Sequence, residues 1–92
     1  MKNRYTVKYL GFVSTFTGVA SETIEINSAD HTVLNLISVL DARHNNKLID
    51  HILDDEQKVL KVQVLVNGKA ANISTVLKDK DEVVFYMPMF GG

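Results

Sequence analysis

The 92-residue chain predicts an α+β domain in which a mixed sheet of four to five strands carries one main helix on one face. Three observations lead there. Apolar and polar residues alternate at period 2 toward both ends of the chain, over Tyr5–Tyr9 and Val62–Val66. Between them the period becomes that of a helix, with Val33, Leu36, Ile37 and Leu40 at i, i+3, i+4 and i+7. Asn67-Gly68 directly follows the clearest strand, and both residues tolerate the positive φ that a tight hairpin turn requires.

Each element follows in order. Arg4–Leu10 is a half-buried strand, with Tyr5, Val7 and Tyr9 on one face and Thr6 and Lys8 on the other. A partly apolar loop containing Phe12, Val13 and Phe16 leads to a polar break, Thr15–Gly18. Glu22–Asn27 alternates again, turning Ile24 and Ile26 inward and completing a hairpin. The helix begins near Asp30 or Thr32, since either side chain can accept from the free amides of a first turn. It ends in the polar stretch Ala42–Asn46. Lys47–Leu53, with Leu48, Ile49, Ile52 and Leu53, makes a second short helical turn, and Asp54–Lys58 is a charged connection. After the Val62–Val66 strand and its turn, Lys69–Ile73 returns as a weak edge strand. Leu77 anchors an otherwise polar link, Glu82–Met87 is the last strand, and Pro88 ends its pairing because it has no amide hydrogen.

Composition narrows the function classes. Ninety-two residues make one domain, spanning 1–92, and 46% hydrophobic content suits a small folded core. Ten basic against eleven acidic residues give a formal charge of -1, with no electrostatic reason to expect nucleic acid or an anionic membrane. No cysteine is present, which excludes disulfides, thiolate metal sites and thiol catalysis. There is no secretory pattern at the N-terminus and no apolar run near the ~20 residues that a spanning helix needs. The expected location is the cytoplasm.

Parity divides the sheet into two faces. Tyr5, Val7, Ile24, Ile26, Val62, Val64, Val66, Val83 and Phe85 face the helix. Leu10, Leu65, Val84 and Tyr86 then point to the side that a two-layer domain leaves wet. If contiguous, they form a partner surface; if scattered, they are ordinary surface residues.

The most informative pair is Gly91-Gly92 at the end of the sequence. With glycine near 7% of residues, two in the last two places arise by chance in roughly 0.5% of chains. From 87 onward the expectation is a flexible tail, narrow at its end because two residues lack Cβ. A carboxylate there is a poor electrophile until ATP converts it to an acyl-adenylate. A sulfur donor can then displace AMP and leave a thiocarboxylate, with no catalytic side chain in the carrier.

Val66-Asn67-Gly68, Leu77, Asp79-Lys80-Asp81-Glu82-Val83, the aromatic strand, Pro88 and Gly91-Gly92 together resemble the ubiquitin-like (β-grasp) sulfur carriers. These are the small subunit of molybdopterin synthase (MoaD), its thiamine-pathway relative (ThiS) and the ubiquitin-related modifiers. Val7-Lys8-Tyr9-Leu10-Gly11 through Thr17-Gly18 resembles the molybdopterin branch in particular. The resemblance implies that Gly92 is adenylated and thiocarboxylated, with Gly91 its narrow neighbour. It implies docking of partners on the outer sheet face at Leu10, Ala70 and Tyr86, to which parity adds Leu65 and Val84. Pro88, Met89 and Phe90 match the tail that enters the large synthase subunit. The implied partners are an E1-like adenylating enzyme, which uses the ATP, a sulfur donor protein, and the large subunit of molybdopterin synthase in a heterotetramer. No bound cofactor is implied. Two departures stand out: Lys80-Asp81 where the family often has Gly-Asp, and Met87-Pro88-Met89-Phe90 where it usually has Pro-Pro followed by small residues.

Two rival functions share the fold. One is a protein modifier, activated in the same way but joined to lysines of other proteins. The other is a plain interaction module in which the two glycines are accidental. No enzyme reading survives inspection. His31, His44 and His51 lack metal-ligand spacing and are expected at the surface or at helix ends. Asp54-Asp55-Glu56 is a solvated connection, no Gly-x-Ser-x-Gly elbow occurs, and Gly11 and Gly68 make no phosphate loop. The aromatic residues alternate with apolar rather than basic ones, which argues against a nucleic-acid stacking platform.

Overall fold

The computed structural model describes residues 2–54, 56 and 59–87. The elements in chain order are β1 (Lys2–Gly11), α1 (Val13–Thr17), β2 (Ser21–Asn27), α2 (Val33–Arg43), α3 (Ile49–Ile52), β3 (Leu53–Asp54), β4 (Val59–Leu60), β5 (Gln63–Val66), β6 (Lys69–Ala71) and β7 (Glu82–Met87). Five strands form one sheet in the order β2-β1-β7-β5-β6. β1 and β7 are parallel neighbours at its centre, and the remaining pairs are antiparallel. This is a β-grasp sheet, and its mixed character follows from two hairpins joined by a helical crossover.

Burial alternates strictly along β1, where Tyr5, Val7 and Tyr9 are sealed and Arg4, Thr6, Lys8 and Leu10 are exposed. Ile24 and Ile26 of β2, Val64 of β5 and Val83 and Phe85 of β7 face the same interior. The α2 stripe Val33, Leu36, Ile37 and Leu40, fully buried, covers them. Leu48 and Ile52 extend this core, and Val66 packs at its edge. The period-2 and period-3.6 patterns therefore meet in one layer of apolar contact.

The start of α2 shows how both expected caps are used. Thr32 is the N-cap, its Oγ1 accepting from Asn35 N at 3.2 Å. Asp30 buttresses it, accepting from Thr32 N at 3.0 Å and Thr32 Oγ1 at 2.8 Å. The first two helical amides have partners outside the helix: Val33 N donates to Thr75 O and Leu34 N to Ile73 O, both at 3.0 Å. All four amides that a helix start leaves unpaired are thus satisfied. Leu77, buried as expected, is held by its amide on His31 O at 2.8 Å.

The structure adds two elements that local pattern did not suggest. The loop after β1 contains the five-residue helix α1, which buries Val13, stacks Phe16 on the His51 ring and ends at Gly18 with φ 75°. The charged connection begins in a two-stranded ribbon, Leu53 opposite Leu60 and Asp54 opposite Val59. α3 has only four residues, and Asp41 of α2 caps it from outside by accepting from Leu48 N at 3.0 Å and Ile49 N at 2.8 Å.

Candidate functional site

β7 lies between β1 and β5, so each residue on its outer face has a neighbour on either side. Leu10 stands opposite Tyr86, and Lys8 opposite Val84, in the parallel ladder. Val84 also faces Leu65 of β5, and Leu65 faces Ala70 of β6. Side chains directly opposite on one face sit close enough for contact. The five outward apolar residues of the sequence reading therefore form one patch across four strands. Its members differ in exposure: Leu10 is 47% exposed, whereas Val84 is at 9%. Val84 is the floor of the patch and Leu10 its exposed large side chain.

Charge marks the other end of the face. Lys8 and Glu82 pair at 3.1 Å, and beyond them Lys2 and Arg4 both pair with Glu25. Arg4 and Lys2 hold the Glu25 carboxyl below its ordinary range. These pairs are solvated and add little stability. They bound the apolar patch on one side and leave it open toward the end where β7 leaves the sheet. There Met87 pairs with Gly11, and its carbonyl accepts from Phe12 N at 3.1 Å. Met87, on sequence grounds both the last residue of the strand and the first of the tail, thus closes β7. Pro88, Met89, Phe90, Gly91 and Gly92, which carry the proposed chemistry, lie outside the described residues.

A polar cluster that the sequence did not single out sits under the opposite face. Tyr9 donates its hydroxyl to Glu22 Oε2 at 2.7 Å, and His44 Nε2 lies 2.6 Å from the same oxygen. Arg43 Nε is 2.8 Å from Glu22 Oε1. Burial pushes the Glu22 carboxyl upward, but Tyr9, His44 and Arg43 together outweigh it and hold the group below its ordinary range. Burial, then the hydrogen bond to Glu22, raises the Tyr9 hydroxyl. Both carboxylate oxygens of Glu22 are engaged, and among the described residues no buried side-chain polar atom lacks a partner, so the cluster works as a clasp between β2 and the end of α2 rather than as a reacting centre. His44 is thus a helix-end residue. Among the described residues no three His, Asp or Glu side chains converge as a metal site. Among the described residues, no helix is long and apolar enough to cross a membrane.

Comparison with known proteins gives this geometry a lineage. The ThiS family model matches residues 7–92. SAMP1 from Haloferax volcanii superposes with a TM-score of 0.80 at 23% identity, over 98% of this chain and 100% of that one. A Pyrococcus furiosus protein assigned as molybdopterin converting factor subunit 1 gives 0.73 at 26% identity, over 95% and 99%. The Amycolatopsis orientalis BexX/CysO complex contains a chain that gives 0.73 at 23%, over 96% and 99%. A search of curated proteins finds no match. With the family pattern running through nearly the whole sequence and the β-grasp sheet in place, the chain belongs to the ThiS family of ubiquitin-like sulfur carriers.

Proposed function

We propose that this protein carries sulfur on the carboxylate of Gly92 for molybdopterin synthesis. An E1-like enzyme transfers AMP from ATP to that carboxylate and releases pyrophosphate. Sulfur from a donor protein, at the oxidation level of sulfide, displaces AMP and leaves a thiocarboxylate. The thiocarboxylate sulfur then bonds to the cofactor precursor inside the large synthase subunit, and water cleaves the acyl–sulfur bond, leaving the sulfur on the precursor and restoring the Gly92 carboxylate. The protein contributes no acid, base or nucleophile other than its terminus. Its own task is to present that terminus and to dock.

The observation that carries this reading is the family match, which continues through Gly91 and Gly92. The outer face supports it. Leu10, Leu65, Ala70, Val84 and Tyr86 form a surface bounded by ion pairs and open toward the end of β7, as docking beside a working terminus requires. The Pyrococcus likeness and the resemblance at Val7–Gly11 are what support molybdopterin as the acceptor in this reading. A Gly92 deletion tests it: the variant keeps the wild-type melting curve and loses ATP–pyrophosphate exchange with the cognate activating enzyme. Persistent exchange would falsify the reading. Intact mass of protein purified from its native cell should show one oxygen replaced by sulfur.

The likeness to SAMP1, a small archaeal modifier protein, motivates a second reading, in which the same activated terminus is transferred to lysines. Peptides carrying Gly92 in isopeptide linkage, recovered from native lysate, would select it.

A further inference from the structure

The end of β1 and the end of β7 approach each other more closely than two ordinary residues can. Gly11 pairs with Met87 and adopts φ +67°. A Cβ placed on Gly11 would lie 1.9 Å from Met87 O and 2.9 Å from Met87 C. Both are backbone atoms of a central strand, so no side-chain rotation relieves the collision. To restore a contact of 3.4 Å, the Met87 carbonyl would have to withdraw by about 1.5 Å. Gly18 and Gly68 also have positive φ, yet a Cβ on either meets nothing within 4 Å. At Gly11 the absence of a side chain serves an approach to Met87 as well as a turn.

The corner around Gly11 is fixed from its other side. Ser14 Oγ donates to Gly11 O at 3.0 Å, and Phe12 N donates to Met87 O at 3.1 Å. The last carbonyl of β7 is therefore gripped by the β1–α1 corner. We propose that Gly11 is a positioning residue for the reaction at the terminus: it fixes the Met87 carbonyl, the point from which the chain continues to Gly92. This rests on the reading that Gly92 is activated. The outer face would determine how tightly the activating enzyme is bound, and the Gly11–Met87 contact whether the bound carboxylate reaches ATP in a reactive pose.

The split between kcat and KM tests this. Gly11→Ala adds the colliding carbon. Phe12→Pro removes the amide donor at a residue whose φ of -64° already suits proline. Phe12→Ala keeps that amide and is the control. In ATP–pyrophosphate exchange, Gly11→Ala and Phe12→Pro should lower kcat by about tenfold or more with KM within about twofold, since misplacement near 1 Å is enough to cost such factors. Phe12→Ala should keep kcat. Melting curves establish which variants fold, and if Gly11→Ala does not, Phe12→Pro decides. Folded variants that keep kcat, that change KM alone, or whose loss is matched by Phe12→Ala would overturn the positioning role while the reading of Gly92 stands. A wild-type protein that is never activated would overturn both.

Discussion

Glu22→Gln tests how much of the stability comes from a single carboxylate. The side chain is only 11% exposed and takes contacts from Tyr9, His44 and Arg43 at 2.6 to 2.8 Å. Glutamine keeps the shape and one acceptor oxygen but loses the charge, so contacts to an ionised acceptor become contacts to a neutral one. Hydrogen bonds to charged groups contribute about 1.5–3 kcal/mol against about 1 for neutral ones, and a lower desolvation cost returns part of the difference. The expected loss is about 2 kcal/mol at neutral pH. For a domain of this size that is a fall in Tm of roughly 10 °C. The carboxyl is held below its ordinary value, so its contribution is present in full above the unfolded-state value near 4.5 and fades as pH falls through the lower folded value. Urea unfolding of both proteins at pH 7 and pH 3 should show the gap between them narrowing at pH 3. A gap that is equal or wider in acid, or no gap at neutral pH, would refute the assignment of the clasp to an ionised Glu22.

Three further outcomes follow. Lys80 holds φ 74° while its amide donates to Arg4 O at 2.8 Å, so Lys80→Gly should relieve left-handed strain and keep that bond. Strain of about 1–2 kcal/mol against a glycine entropy cost of about 0.5–1 gives a net gain of about 0.5 kcal/mol, measurable as a raised urea midpoint. Thr32→Ala should cost about 1 kcal/mol by removing the acceptor for Asn35 N, and Thr32→Ser should recover most of it in the same measurement. Leu10→Glu, at a 47% exposed position, should change stability by no more than about 0.5 kcal/mol yet raise the activating enzyme's KM about tenfold. An unchanged KM would remove Leu10 from the docking surface.

Much of this protein is written in local patterns. The alternation of Tyr5, Val7 and Tyr9, the stripe from Val33 to Leu40 and the Asn67-Gly68 turn each act within a few residues, so strand, helix and hairpin were legible without a fold. Parity alone placed Leu10, Leu65, Val84 and Tyr86 on the outer face, because side chains in a strand must alternate. The departure at Lys80 shows the reverse side of the same legibility: where the family often has glycine, the backbone still takes a left-handed turn, and lysine bears the strain.

What the order of residues could not reveal are contacts between segments far apart in the chain. α1 and the β3–β4 ribbon are too short to stand without the surfaces they pack on, so no periodicity announces them. Glu22, Arg43 and His44 look like ordinary polar positions, and Tyr9 like one more inward residue of β1, until β2 is laid beside the end of α2. Patch continuity depended on register, since one residue of slip between β1 and β7 would have parted Leu10 from Tyr86. The need for glycine at 11 arose only when a carbonyl 76 positions later, that of Met87, was brought into the space that a side chain would fill. Short-range sterics decide elements from sequence, whereas close approach of distant backbones is decided only when the chain has folded.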